Sequence, residues 1–524
     1  MDTLTPATAA GSTEEWGPFG RPLFEDPSAR ALSRVGVVDV GSNSVRMVVF
    51  DGAARSPAYF YNEKVMCGLG AGLATSGRLN PRGRERALAA LKRFALLAEG
   101  MKIAPLTVVA TAAVREAEDG AEFREEVLKE TGLSLWVIDG AEEARLSAQG
   151  VLLGWPEASG LVCDIGGSSM ELAVIGDGKV HARVTSPLGP FRLQQVGGGK
   201  KGLRRHISEI LVGLRDQVGK DHDRIYLVGG SWRAIARLDM VRQNYPLTVL
   251  HEYRMSPKAV RDTCDWIGDR DVATLRGEGG LSSERVELVP LASEVLRELV
   301  KTFRPQEIDI SSYGIREGLL YEQMPERLRQ RDPLIEACRF AEAQSARLPG
   351  FGKKLYAFLQ PLFKSASKER KRLIKAACLL HDTAWRAHPD YRAEACFDNA
   401  TRANLGGLDH KGRVFLGLAL MHRYKNSRNG KMGGMFRLLS EKEMQEAEVL
   451  GKALRFGAMF AVEHPESAGA LKFYPKKKML ELILQPEMQA LFGEVAQSRF
   501  AALAQALKVE TRVRVKNARQ DLGE

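Results

Sequence analysis

Two short stretches set a carboxylate just ahead of small polar residues: Asp39-Val-Gly41-Ser42-Asn43-Ser44 and Asp164-Ile-Gly166-Gly167-Ser168-Ser169. Small residues let successive backbone N–H groups turn inward and form a concavity that holds an anion such as phosphate. The hydroxyls of Ser42, Ser44, Ser168 and Ser169 add donors. Asp39 and Asp164 repel phosphate, so beside one their role would be to hold a hard cation such as Mg2+, directly or through water. A single stretch of this kind is as well explained by a hairpin turn. Two in register, each gripping from one side of a cleft, favour the phosphate reading. Arg46 follows the first stretch and suits either phosphate oxygens or an edge-strand ion pair. Gly229-Gly230-Ser231 is a third small-residue turn, which a strand-to-helix junction would also use.

The surrounding elements must bring these stretches together. VGVVDV and VRMVVF flank the first as apolar strands, and GLVCDI and MELAVIG flank the second. Between them helical and strand-like runs alternate: the amphipathic PRGRERALAALKRFALLAEGM with Pro at its start, LTVVATAAV, AEFREEVLKETG, LSLWVID and AEEARLSAQGVLLG. Such alternation implies α/β lobes with mixed or parallel sheets. Asp39 aligns with Asp164 and Gly41 with Gly166, each followed by small residues, an apolar strand and Asp-Gly. This is a duplication of a whole lobe. Expected boundaries are a flexible tail at 1–33, a first lobe at 34–157, a second at 158–325 and a helical region at 326–524.

Five segments occur in order: Asp39-Val-Gly-Ser-Asn-Ser, Ala110-Thr-Ala-Ala-Val-Arg115, Asp139-Gly-Ala-Glu-Glu-Ala-Arg145, Asp164-Ile-Gly-Gly-Ser-Ser-Met-Glu171 and Val228-Gly-Gly-Ser231. Together they resemble the motif series of the exopolyphosphatase / guanosine-pentaphosphate phosphohydrolase (Ppx/GppA) family, over roughly residues 34–325. The resemblance implies duplicated actin/hexokinase-like (ribonuclease H-like) ATPase lobes followed by an α-helical HD-like domain. It implies Glu142 as general base on the attacking water, with Glu143 structural, and Arg115 on phosphate oxygens. It also implies Glu171 beside Asp39 and Asp164 at a divalent cation. Without it, both glutamates read as favourable charges at a helix start. The family pattern has a third glycine where this chain has Ser168; were positive φ needed there, serine would cost about 1 kcal/mol.

Past Pro325 amphipathic helices dominate. His381-Asp382 resembles the pair of HD-type phosphohydrolases, but no histidine lies between His251 and His381 to supply an upstream ligand, so the pair reads as structural. Basic residues gather at Lys364, Lys368, Arg370, Lys371, Arg372 and Lys375, at Arg423, Lys425, Arg428 and Lys431, and at Lys476–Lys478. With a formal charge of +11, they fit a channel for a linear polyanion or, more blandly, a solvated face. The six cysteines are scattered and read as reduced core residues of a cytoplasmic protein. No run of about 18 uncharged apolar residues occurs, so membrane insertion is not expected.

The reading that results is a hydrolase acting on phosphoric anhydrides, removing terminal phosphate from polyphosphate with Mg2+ or another divalent cation, as a homodimer and without a nucleic-acid partner. Guanosine pentaphosphate, hydrolysed at the same site to the tetraphosphate, is the nearest alternative substrate. An actin-like ATP-dependent kinase and a non-catalytic polyanion binder are the rivals from other classes.

Overall fold

The computed structural model describes residues 17–516 apart from 20, 21, 25, 27, 281–285 and 427–431. Arg428 and Lys431 therefore lie outside the described residues, as does the start of the expected tail. The chain divides into two compact units, Met1–Arg331 and Asp332–Glu524.

Each lobe of the first unit is built on a mixed sheet. The first sheet has the order β3-β2-β1-β4-β5, with β1 Gly36–Val40, β2 Ser44–Phe50, β3 Tyr59–Met66, β4 Leu106–Ala110 and β5 Leu135–Val137. The second has the order β10-β11-β9-β6-β7-β8, with β6 Gly160–Ile165, β7 Met170–Gly176, β8 Lys179–Ser186, β9 Arg224–Val228, β10 Arg254–Met255 and β11 Glu307–Ile310. In both, an antiparallel hairpin carries the Asp-x-Gly turn at its tip and the next strand joins in parallel. The lobe duplication expected from the two motifs is thus a duplication of topology, the actin-like plan.

Helix α1, Pro81–Gly100, opens with Asn80 accepting from the Gly83 N–H at 2.9 Å and packs on the outer face of the first sheet. Val38 and Val40 face that side while Val37 faces the opposite core, as the period of two requires. From Gly17 onward the expected tail is instead packed against the first lobe. Gly17–Phe19 form a 3-10 turn, and Phe19, Leu23, Phe24 and Leu32 are buried against Val35, Val37 and Phe50. Thr107 Oγ1 donates to the Pro18 carbonyl at 3.3 Å, and the Leu32 N–H to that of Gly52 at 3.0 Å.

Two helices cross between the lobes: α3 Gly140–Gly154, leaving the first sheet, and α7 Ile315–Glu322, leaving the second. (Helices α2 Gly120–Thr131, α4 Gly199–Val218, α5 Gly230–Arg242 and α6 Val289–Phe303 belong to the main layers.) The crossing is backbone to backbone. A Cβ on Gly150 would stand 2.3 Å from the Gly314 carbonyl oxygen, and one on Gly318 only 1.9 Å from that of Leu146.

The second unit is helical as expected: α8 Pro333–Ser345, α9 Phe351–Leu359, α10 Lys368–Leu380, α11 Arg392–Arg402, α12 His410–His422, α13 Glu441–Phe460 and α14 Glu494–Leu507. The late strands form one small sheet, β12 Gly469–Tyr474, β13 Met479–Leu484 and β14 Glu510–Val515. Asp382 is bridged by Arg347 at 2.6 Å and 2.8 Å and faces Arg423 at 3.5 Å. Cations thus occupy the carboxylate that an HD centre would use for metal. Of the basic runs, Arg370, Arg372 and Arg423 are engaged in ion pairs, while Lys476–Lys478 are exposed on the β12–β13 turn.

Candidate active site

The two Asp-x-Gly turns meet in a cleft of about 170 Å³ in the first unit. They are closed alike: the Gly41 N–H donates to the Ser44 carbonyl at 3.0 Å, and the Gly166 N–H to that of Ser169 at 2.9 Å. Further bonds pin the first turn to the chain after β3, from Cys67 and Gly68 to the Asn43 carbonyl and from Gly70 to that of Ser42. Among the described residues, the N–H groups of Ser42, Asn43, Gly167 and Ser168 have no protein acceptor. Each turn thereby offers two adjacent donors, the geometry of an anion nest.

Most residues expected on phosphate line this cleft: Gly41, Ser42, Asn43, Ser44, Arg46, Gly166, Gly167, Ser169, Gly229, Gly230 and Ser231. Gly229, at φ 116°, has to be glycine. A Cβ there would stand 2.6 Å from the Ile165 carbonyl oxygen and 3.1 Å from Asp164 Oδ1. Ser168 is not a lining residue of this cleft; its hydroxyl donates to Ser42 Oγ at 3.2 Å. It is not among the residues with positive φ, so the strain considered for this substitution does not arise.

The glutamate pair is the main correction. Asp139 caps α3 by accepting from the Glu142 N–H at 2.7 Å, which puts both glutamates in the first turn. Glu142 does not line the cleft; Arg145, one turn along, holds both its oxygens at 2.5 Å and 2.8 Å. Glu143 is buried and faces the cleft. Burial, then the neighbouring charges of Glu171 and Asp164, raise its carboxyl well above the ordinary range. Arg115, expected on phosphate, lies outside the lining. It reaches the Ile138 carbonyl at 2.7 Å and Glu143 at 3.5 Å, and so braces the carboxylate.

The other carboxylates are steered by hydroxyls. Ser147, one turn beyond Glu143 on α3, donates to Asp164 Oδ2, and Thr185 on β8 donates to Glu171 Oε1 at 2.9 Å. Burial, then the Asp164 charge, pushes the Glu171 carboxyl up to about 8. Its Oε2 is buried with no partner.

Among the described residues, no group of three or more His, Cys, Asp or Glu side chains is placed to hold a metal ion. Asp39, expected as a cation ligand, has Arg316 at 3.7 Å and Arg46 as its cross-strand neighbour. Asp164 and Glu171 face each other across β6 and β7. Asp164 lines the cleft and Glu171, with its spare buried oxygen, stands behind it; the pair fits a cation completed by phosphate oxygens, the usual habit of Mg2+, and not a closed protein cage.

Among the described residues, four cations line the cleft: Arg46, Lys64, Arg233 and Arg316. Lys64, Arg233 and Arg316 are not singled out by the sequence, because none lies in a small-residue turn. Arg316 is buried at the start of α7, and its Nε has no acceptor among the described residues. The arrangement sets two anion nests and these cations around the buried Glu143 carboxylate, which suits hydrolysis at phosphorus.

Comparison with known proteins agrees with this chemistry. The chain is 28% identical over 305 residues to exopolyphosphatase 1 of Mycobacterium leprae, covering 56% of this chain and 89% of that protein. It is 27% identical over 304 residues to exopolyphosphatase 1 of Mycobacterium tuberculosis, covering 56% and 88%. The crystal structure of an exopolyphosphatase from Cytophaga hutchinsonii shares the fold, with a TM-score of 0.52 and 24% identity over 56% of this chain and 98% of that one. A model of the exopolyphosphatase C-terminal domain matches residues 343–512. The model of the Ppx/GppA phosphatase family matches residues 48–327, more than half of the chain and most of the unit that holds the cleft, so the chain belongs to that family.

Proposed function

We propose that the chain is an exopolyphosphatase that removes terminal phosphate from inorganic polyphosphate, round after round, with Glu143 as general base. The observation that carries this is the position of Glu143, a buried carboxylate of raised proton affinity opposite the two phosphate-binding turns. A carboxylate whose proton affinity is raised by burial takes a proton from water more readily than an exposed one. Glu143 takes a proton from water as its oxygen bonds to the terminal phosphorus. The bridging P–O bond breaks and the shortened chain leaves with the electron pair. Turn N–H groups and the cations Arg46, Lys64, Arg233 and Arg316 offset the charge on the phosphoryl oxygens. A divalent cation, held by Asp164 and Glu171 together with phosphate oxygens, would add Lewis-acid stabilisation of that charge.

Among the described residues the cleft lining contains no aromatic side chain on which a guanine base would stack, which favours polyphosphate over guanosine pentaphosphate. The test is inorganic phosphate release from long-chain polyphosphate, with and without Mg2+, by the wild type and two variants. Glu143→Gln should lose at least about a thousandfold in turnover while still binding the polymer, and Glu142→Gln should stay within a few-fold of wild type. The reverse ranking would transfer the role to Glu142. Strong preference for guanosine pentaphosphate at equal concentration would overturn the substrate.

A further inference from the structure

A second cavity, about 370 Å³, lies in the first unit beside the phosphate cleft. The first lobe contributes Gly70, Ala74 and Glu116, and the second contributes Ser168, Arg192 and Gln195. The partition between the two spaces is one loop thick. Gly167 lines the cleft, and the next residue, Ser168, lines the second cavity. The Ser168 hydroxyl donates to Ser42 Oγ, from the opposite lobe, at 3.2 Å. Neither glycine at this partition leaves room for a side chain. A Cβ on Gly70 would stand 3.0 Å from Ser42 Cβ and 3.3 Å from Ser168 Oγ, and one on Gly167 2.9 Å from the Phe191 ring.

On its outer side the cavity carries phosphate-binding chemistry. Arg192 is paired with Glu116 across the lobes, and Gln195 Nε2 donates to Thr75 Oγ1 at 2.8 Å. Gln195 is exposed and Arg192 half-buried, so this side meets solvent. A guanidinium, an amide and the Ser168 hydroxyl make a donor set for a tetrahedral oxyanion. Glu116 opposes an anion, and Arg192 must exchange that carboxylate for phosphate as the anion passes.

We propose that this cavity is the exit site for orthophosphate. The proposal rests on the reading of the chain as a processive polyphosphate hydrolase. In such an enzyme the remaining polymer fills the mouth of the cleft after each cut. The cleaved phosphate, enclosed by the two turns, then has no free path through the mouth until the chain lets go. Parting of the Ser42–Ser168 contact opens a path past the turns to Arg192, and the polymer can advance without dissociating.

Two variants from opposite lobes test it: Ala74→Trp, which fills the cavity, and Arg192→Gln, which removes the cation. Total phosphate is read by acid quench and free phosphate by a stopped-flow phosphate sensor. With long-chain polyphosphate, first-turnover total phosphate should match wild type while free phosphate appears at least tenfold later. With tripolyphosphate, too short to block the mouth, free phosphate should keep pace with total within twofold. Free phosphate keeping pace on the long chain in both variants, or an equal delay with tripolyphosphate, overturns the exit. A wild type that releases no phosphate from polyphosphate removes the underlying catalytic reading as well, so the two failures are told apart.

Discussion

Arg46 and Glu171 occupy the same register position of the duplicated hairpin, Arg46 opposite Asp39 across β1–β2 and Glu171 opposite Asp164 across β6–β7. The two hairpins share one backbone plan, and this position carries opposite charges in the two lobes. The first presents a cation beside its turn, the second a carboxylate. Arg46→Ala should therefore act on binding, raising KM for polyphosphate by about 10- to 100-fold, the loss of a charge-assisted hydrogen bond of about 1.5–3 kcal/mol. Glu171→Gln should act mainly on kcat and on the Mg2+ concentration needed. Steady-state kinetics across a Mg2+ series separates the two, and a dominant kcat effect in Arg46→Ala would contradict the division.

Ser147 ties the helix bearing Glu143 to the turn bearing Asp164 through one buried hydroxyl. Ser147→Ala leaves a buried carboxylate oxygen without its donor, at a cost of about 1–3 kcal/mol. Denaturant unfolding should register that loss, and turnover should fall with KM nearly unchanged, because Ser147 does not line the cleft. A variant as stable and as active as wild type would show that the hydroxyl holds nothing in place.

Much of this arrangement was readable in the chain before folding. The Asp-x-Gly turns recur in register, and the apolar runs that flank them placed β1, β2, β6 and β7. The choice between Glu142 and Glu143 was not readable from the motif, because adjacent helical residues differ by about 100° in direction and both satisfy a helix start. One signal was there: Arg145, three residues after Glu142, is in range to pair with it, while Ser147 lies four after Glu143 on the face turned to the second lobe. The segment from Gly17 looked like a tail because its burial depends on a surface that only the folded lobe supplies. Arg316 was missed for a similar reason, since only the crossing of α7 brings it to Asp39.

That crossing has no room for a methyl group. Gly150→Ala and Gly318→Ala each drive a Cβ into a backbone carbonyl, at 2.3 Å and 1.9 Å, where no side chain can yield. Each should destabilise the first unit by about 3 kcal/mol or more, at or beyond the upper end of overpacking penalties. Gly213→Ala, with open space around its Cβ on α4, should be neutral or slightly stabilising. Thermal melts of the three variants check the order, and a Gly318→Ala melt equal to that of Gly213→Ala would refute it.

His381 sets a pH dependence in the second unit. Its ring is 4% exposed, with Nδ1 at 2.8 Å from the Cys378 carbonyl and Phe351 packed 5.4 Å away. Burial, then the charge of Arg423, lowers its pKa to about 3, while Asp382 pulls the other way and Arg347 adds to the depression. The unfolded imidazole takes a proton near pH 6.5 and the folded one does not. The unfolded chain thus binds more protons between pH 6.5 and about 3. Stability from this group is complete above pH 6.5 and falls by up to about 1.4 kcal/mol per pH unit below it. His381→Gln removes the titration, so its loss of stability between pH 7 and pH 5 should be smaller than that of wild type by about 2 kcal/mol. Denaturant unfolding of the full chain at the two pH values reads the difference, and parallel losses in both proteins would assign the acid sensitivity to other groups.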